Sequence, residues 1–267
     1  MKCLEVDTYF KRIGAWVNWN KTTDIFSFGC AEEKIKKIAI AWKPSFAALK
    51  QAKAHGANFF IAHESIGVKA VNGSMRQDRE FMLESESELF DFLKTSSLVV
   101  YRCHDFLDAM PEWGVMHAWQ KELELGGRIV AEEYPNIITE IQPISVRSLA
   151  LHVIAKTTDL GQKSVMISGN PDKIVHSVAT GTGCAHNIQN VRSLGAEVSI
   201  VVDDAYNSVR LGSHMRDLDY PMIIVNHGVS EEWAVRNLAQ HLRTVFPDVE
   251  VMYIPQYCAH KFVHENI

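Results

Sequence analysis

The chain has 267 residues, of which 47% are hydrophobic and 22% are charged, and its formal net charge is −5. This length suits one large domain or two smaller lobes with a sizeable core. The composition excludes a disordered chain, a fibrous chain and a general nucleic-acid binder, because the apolar fraction is high, Gly and Pro are not in excess, and the charge is slightly acidic. Twelve histidines are the one count that the globular class does not explain.

The first residues contain no apolar core of signal-peptide length, and no stretch approaches the eighteen apolar residues of a membrane span. The five cysteines are odd in number and form no C-x-x-C pair. We therefore expect a cytoplasmic protein with free thiols and without a membrane partner.

Strand-like and helix-like segments alternate along the first half of the chain. The apolar run 37–42 predicts a strand, and a helix opened by Pro44 and closed by Gly56 follows it. The pattern continues with strands over 57–62 and 98–102 and with helices over 78–94 and 112–124. This alternation favours an α/β fold.

The second half repeats the alternation. We predict helices over 143–156, 185–194 and 230–245, one more helix after Asp204, a tight turn at Thr180-Gly181-Thr182-Gly183, and strands over 164–167, 174–178, 198–202, 222–225 and 249–254. Gly56-Ala57 and Gly195-Ala196 each precede an apolar strand that ends in polar residues, a faint internal echo that two related lobes or chance would produce.

Three predicted strands end in a histidine that has a carboxylate one or four residues further on. The pairs are His63 with Glu64, His104 with Asp108, and His227 with Glu231. The carboxyl ends of parallel strands are where open α/β sheets place their ligands, and two side chains four residues apart share one face of a helical turn. Imidazole with carboxylate suits Zn, Mn, Fe, Ni or Co, and six ligands exceed the needs of one four-coordinate ion.

Each pair also has an ordinary structural interpretation. His63 could be satisfied by backbone groups, Asp108 could cap a helix, and Glu231 follows Ser230, a good helix N-cap, so that an acid in the first turn is expected from the helix dipole alone. Taken together at three strand ends, the pairs favour a centre with two metal ions.

The ordered motifs between about residue 36 and residue 235 resemble the Nif-three-like dinuclear-metal family, whose members are often named GTP cyclohydrolase I type 2 homologues. The stretch 56–64 is similar to the family's strand that ends in two histidines, 104–109 to its His-x-x-x-Asp motif, and 227–231 to its closing His-x-x-x-Glu motif. Gly181-Thr182-Gly183 falls where the family has a glycine-rich turn.

The resemblance implies two α/β lobes with mixed sheets, a metal cleft between them, and assembly into a toroidal hexamer. It implies that two divalent ions are bound by His63, His104, Asp108, His227 and Glu231. Glu64 stands where the family usually has its second histidine, and a carboxylate there would favour a harder ion such as Mn or Fe, or leave the second ion weakly bound or absent. We expect a first lobe over 1–108 and 225–267 and a second lobe over 109–224.

Other polar residues have weaker signals. Asp203 and Asp204 end another strand, where they could contact a substrate or simply form a turn. The turn 180–183 could hold a phosphate, but it lacks the lysine and the spacing of a P-loop. His186 and His214 are possible cleft residues, whereas His117, His152, His176 and His241 fit helix or strand patterns.

The leading hypothesis is a metal-dependent hydrolase in which Glu64 or Glu231 moves protons. The resemblance alone suggests the substrate, a phosphate-bearing or purine nucleotide-like small molecule, while no direct sequence feature indicates nucleic-acid binding. The alternative hypothesis is a non-catalytic metal-binding scaffold or a partner-binding ring.

Overall fold

The computed structural model describes residues 1–66, 84–181 and 183–263 and has the predicted α/β fold with two mixed sheets. The chain divides into two compact units. Unit 1 comprises Met1–Leu107 and Val235–Pro255, and unit 2 comprises Asp108–Ala234 and Gln256–Ile267. Among the helices in the described ranges, none has both the length and the apolar character that crossing a membrane requires.

In the part of the chain that the structure describes, the elements that begin in unit 1 are the five strands of one sheet and four helices. They are α1 (Cys3–Ile13), β1 (Ile25–Phe28), β2 (Lys37–Ala41), α2 (Phe46–Ala54), β3 (Phe59–Ala62), α3 (Glu84–Ser96), β4 (Val99–Arg102), α4 (Asp105–Asp108) and β11 (Glu250–Tyr253). The strand order is β1-β4-β3-β2-β11, and only β1 is antiparallel to its neighbour. Every residue of β3 is buried, as its continuous apolar sequence predicts.

Local signals set the helix that follows β2. The Ser45 side chain accepts a hydrogen bond from the Ala48 N–H and caps α2, and Gly56 takes a positive φ of 81° just beyond the end of this helix. Buried residues of α2 such as Leu49 pack with Phe60 of β3 and Leu93 of α3 in one apolar cluster. The strands β3 and β4 are therefore held by this buried apolar cluster, and the residues that follow them extend from it.

Unit 2 contains the second sheet. Its elements are α5 (Val115–Glu122), β5 (Arg128–Glu133), β6 (Asn136–Ser145), α6 (Val146–Thr157), β7 (Met166–Ser168), β8 (Ile174–Gly181), α7 (Ile188–Ser193), β9 (Val198–Val202), α8 (Ser213–Asp217), β10 (Met222–Val225) and the start of α9 (His227–Val245). The strand order is β5-β6-β8-β9-β10-β7, with parallel pairing of β8, β9 and β10. The strands β9 and β10 are buried throughout.

The structure corrects several sequence predictions. The elements α1, β1, α4, β5 and β6 were not predicted, and β5 has only a three-residue apolar run, Ile129-Val130-Ala131, in a strand with five of its six residues exposed. Thr180 and Gly181 belong to β8 and not to a tight turn, and Thr182 lies outside the described residues, as does the predicted helix start over 78–83.

Helix α9 begins at His227, three residues before the predicted N-cap Ser230. The Ser230 hydroxyl instead donates to the His227 carbonyl, at 2.7 Å. The Asp203 carboxylate, at the end of β9, accepts the backbone N–H of His227 at 3.1 Å. A carboxylate from a neighbouring strand thus replaces a local cap at the start of this helix.

Candidate metal centre

His63 follows the last residue of β3 and is 1% exposed. Its Nδ1 lies 3.1 Å from the carbonyl oxygen of Cys103. Since a carbonyl can only accept, Nδ1 carries the hydrogen, and Nε2 is the ring nitrogen with the lone pair. This is the tautomer that a metal-binding histidine needs when it coordinates through Nε2.

His104 lies between β4 and α4, and its ring stacks on His63 with centroids 4.6 Å apart and planes 4° from parallel. Its Nδ1 donates to Asp105 Oδ1 at 3.1 Å, so Nε2 again carries the lone pair. Burial, the neighbouring His63 and the positive charge of Arg102 lower the pKa of His104 to about 4. The imidazole is therefore neutral at pH 7, as metal ligation requires.

A buried carboxylate holds the backbone of α4. Asp24 accepts the N–H groups of His104, Asp105 and Phe106 at 2.5, 2.8 and 2.8 Å. A second pair of hydrogen bonds joins the same two segments, because the Asp105 carboxylate accepts the Thr23 backbone N–H at 3.0 Å and the Thr23 hydroxyl at 2.9 Å. Burial raises the pKa of Asp24 despite these N–H donors. We call this arrangement of Thr23, Asp24, His104, Asp105 and Phe106 the Asp24 clasp.

Glu64 lies beside one cation and one histidine of unit 1. Its Oε2 is 3.6 Å from Arg102 Nη2, and its Oε1 is 3.9 Å from His104 Nε2. A carboxylate at this position brings a negative charge that a histidine would not, and Arg102 offsets that charge.

Asp108 is the last residue of α4 and the first residue of unit 2, and it is buried. The hydroxyl of Tyr134, just beyond β5, lies 3.4 Å from Asp108 Oδ2. His104 immediately precedes α4 and Asp108 ends it, four residues further along the chain.

His227 and Glu231 occupy the first turn of α9. The Nε2 of His227 lies 2.9 Å from Glu231 Oε1, and its Nδ1 lies 2.9 Å from Asp204 Oδ2. Burial alone would lower the pKa of His227, but hydrogen bonds and negative charge from Glu231 and Asp204 raise it to about 10. The proton that His227 Nε2 shares with Glu231 marks a position where a metal cation could take its place.

Gly183 packs directly against this pair. A Cβ at residue 183 would lie 2.7 Å from His227 Nε2 and 2.8 Å from Glu231 Oε1, and the φ of Gly183 is +41°. Glycine therefore keeps open the space in front of both donor atoms.

The structure brings the predicted residues together in pairs within each unit: His63 with His104, His104 with Glu64, and His227 with Glu231. Among the predicted ligands, buried and half-buried histidine and carboxylate side chains other than that of His227 form groups that could hold a metal ion. The imidazoles fit such a role because the Nδ1 of each histidine contacts an acceptor, the arrangement that orients metal-binding histidines.

The remaining histidines assigned to helix or strand patterns have other partners in the protein. His117 contacts Glu132, His152 the Leu123 carbonyl, His176 Glu197 and His241 Tyr9. Sequence reasoning gave no role to Asp24 or Arg102, since neither forms a spaced pair with a histidine. It did single out Asp203 and Asp204, whose contacts with His227 place them beside a predicted ligand.

Several solved structures share this fold. A Bacillus cereus protein related to NIF3 has a TM-score of 0.78 at 13% identity, with 98% of this chain and 99% of that chain covered. The protein ybgI, described as of unknown function, has a TM-score of 0.73 at 22% identity, with coverage of 96% and 100%. Reduced HcgD from Methanocaldococcus jannaschii has a TM-score of 0.71 at 16% identity, with coverage of 96% and 98%.

The sequence comparisons point to the same group. No functionally curated protein matched the sequence. The family model described as Duf34/NIF3 (NGG1p interacting factor 3) matches residues 17–258, a span that includes all six predicted ligands. This chain therefore belongs to the DUF34/NIF3 family.

Proposed function

We propose that this protein is a metal-dependent hydrolase that binds two divalent ions through His63, Glu64, His104, Asp108, His227 and Glu231. The observation that carries the metal proposal is the shared arrangement of the three histidines. Each Nδ1 contacts a carbonyl or carboxylate oxygen, which directs the other ring nitrogen toward a ligand. The exposed His55 and His176 also make Nδ1 contacts with an acceptor, so the distinguishing feature of the three predicted ligands is that they combine this contact with burial or half-burial.

The donor set restricts the ion. Three imidazoles and three carboxylates suit Zn, Fe or Mn, and the carboxylate of Glu64 favours the harder ions of this group. Glu64 also has Arg102 as a neighbour, 3.6 Å away, which weakens the pull of its charge on a cation. We therefore expect the ion at Glu64 to bind more weakly than the other.

Divalent ions in such a site would polarise the substrate and lower the pKa of a water molecule. The chain's own residues have separate tasks. The Asp24 clasp and Asp204 orient His104 and His227, and Gly183 leaves room for a reacting group beside Glu231. We assign to Glu64 or Glu231 the acceptance and return of a proton at an Oε atom.

For the substrate, we propose a chemical class and not a single compound. The resemblance of the sequence motifs to proteins named GTP cyclohydrolase I type 2 homologues favours a small molecule with a phosphoester or a nucleotide-like structure. It also favours a homo-hexamer, which light scattering on the purified protein would test. All five cysteines are free thiols, which supports a reducing, cytoplasmic setting.

Elemental analysis tests the metal centre. His63→Ala and His227→Ala should each lose bound metal relative to the parent protein. His176→Ala is the matched control, because His176 also pairs with a carboxylate, Glu197, but on the exposed surface of β8. The ligand assignment is wrong if both ligand variants keep the parent metal content.

Activity needs its own test. The metal-replete protein would be screened against nucleotides and phosphoesters, and hydrolysis should disappear on chelation and return when metal is restored. Activity that survives both chelation and ligand substitution would contradict the mechanism. Metal binding without hydrolysis of any substrate class would instead favour a metal-binding scaffold.

A further inference from the structure

A cavity of about 340 Å³ lies at the edge of the unit 2 sheet where β9 and β10 end. Its apolar wall includes Val165, Met166, Ile224 and Phe262. The carboxyl ends of parallel strands are the usual ligand sites of α/β sheets, and this volume is within the range of small-molecule pockets. None of the six predicted metal ligands is among the described residues that line the cavity.

A histidine and a carboxylate form the polar side of the cavity. His260 Nε2 lies 2.5 Å from Asp203 Oδ2, and the other oxygen of Asp203 accepts the backbone N–H of His227 at 3.1 Å. Since a carboxylate accepts, His260 donates from Nε2, which leaves Nδ1 as a hydrogen-bond acceptor for a ligand. The His260 side chain is 53% exposed, so a ligand can approach it from solvent.

The charges around the cavity disfavour an anion. No lysine or arginine is among the described lining residues, and Asp203 adds a negative charge. The start of α9 could otherwise attract an anion through its exposed N–H groups, but Asp203 already accepts the first of them. The two amide side chains of the lining are engaged, since Asn226 donates to Asp203 and Gln162 accepts from the Asn226 backbone, and the neutral hydroxyl of Ser164 adds no positive charge.

We propose that this cavity binds an uncharged heteroaromatic ring that carries an N–H donor, such as a carboxamide group, which donates to His260 Nδ1. The apolar wall covers the faces of the ring, and His260 sets its orientation. Through Asp203, the ligand is connected to the backbone of His227, the predicted metal ligand. The cavity therefore holds the ring portion of the substrate, while the charged portion lies elsewhere. Only this substrate role rests on the proposed hydrolase function.

A pair of isosteric probes tests the proposal. Nicotinamide and nicotinate share one ring, but the first is neutral with an N–H donor and the second is an anion. Saturation-transfer NMR and calorimetry on the full chain should show nicotinamide binding and at least about tenfold weaker nicotinate binding. His260→Ala should weaken nicotinamide by about tenfold, the effect of one lost hydrogen bond of about 1.4 kcal/mol. Phe262→Ala should weaken it as well, and His176→Ala should not.

Each outcome separates this proposal from the hydrolase. Binding that persists after chelation, in a protein that hydrolyses nothing, supports the cavity and contradicts the enzyme. Equal affinity for the two probes, no binding of nicotinamide at millimolar concentration, or full affinity in His260→Ala would overturn the proposal. Near-ultraviolet circular dichroism of the variants confirms that the fold is intact in each comparison.

Discussion

Substituting Asp24 by Asn tests whether the Asp24 clasp prepares His104 for metal. Three backbone N–H groups contact the Asp24 carboxylate, and a hydrogen bond to a charged group is worth about 1.5–3 kcal/mol. Asn keeps one oxygen for two of these donors but turns an amide N–H₂ toward the third. Relief from burying a charge offsets part of the loss, so we expect the free energy of unfolding to fall by about 1–2 kcal/mol.

Metal affinity should fall further than stability alone explains. Loss of a group that orients a metal-binding histidine typically costs about 10- to 100-fold in affinity. Competition with a chromophoric chelator measures this dissociation constant, and urea unfolding of the metal-free protein measures stability.

Asp7→Asn is the matched control for the Asp24 substitution. Asp7 is 4% exposed, against 3% for Asp24, and it accepts two hydrogen bonds where Asp24 accepts three, from Tyr101 at 3.0 Å and from Lys11 at 2.8 Å. Neither of these two contacts involves a residue of α4. If Asp24→Asn and Asp7→Asn lose similar stability and both keep the parent metal affinity, the clasp has no orienting role.

Three further substitutions have defined outcomes. Arg102→Met removes the cation 3.6 Å from Glu64 and should tighten binding of the ion at Glu64 by about tenfold in the chelator assay, whereas unchanged affinity would argue against Glu64 as a ligand. Gly183→Ala places a Cβ 2.7 Å from His227 Nε2 and should lower metal content without unfolding the chain, which elemental analysis and thermal melts check together. Burial lowers the pKa of His186 to about 4, so its contribution is complete above pH 6.5 and is lost as the pH falls toward 4. Between pH 6.5 and pH 4 the free energy of unfolding should therefore fall less in His186→Gln than in the parent, by at most about 3 kcal/mol. Urea unfolding across this pH range measures the difference, and identical pH profiles for the two proteins would refute the lowered pKa of His186.

The strands around the candidate centre could be predicted because each is a continuous run of apolar residues in the sequence. The apolar runs before His63 and His227 are continuous, and β9 and β10 match the predicted 198–202 and 222–225. A strand buried on both faces needs such a run, so the sequence itself marks where it ends. The α/β class follows from the same alternation.

Contacts between residues distant in sequence could not be predicted. Asp24 and His104 are 80 residues apart, and Asp203 and His227 are 24 apart. No spacing rule connects such pairs, because sheet pairing brings them together. Helix α9 illustrates the effect: Ser230 has the features of a local cap, but Asp203 supplies an acceptor earlier, and the helix starts at His227.

The strand-to-helix junctions of β4 and β10 are almost without loop residues. Only Cys103 and His104 separate β4 from α4, and only Asn226 separates β10 from α9. One inserted residue at either junction would rotate the following helix by about 100° and turn its ligand away from its partners. Natural variation in chain length should therefore accumulate elsewhere, and an insertion scan that reads out bound metal would find these two junctions intolerant even in variants that still fold.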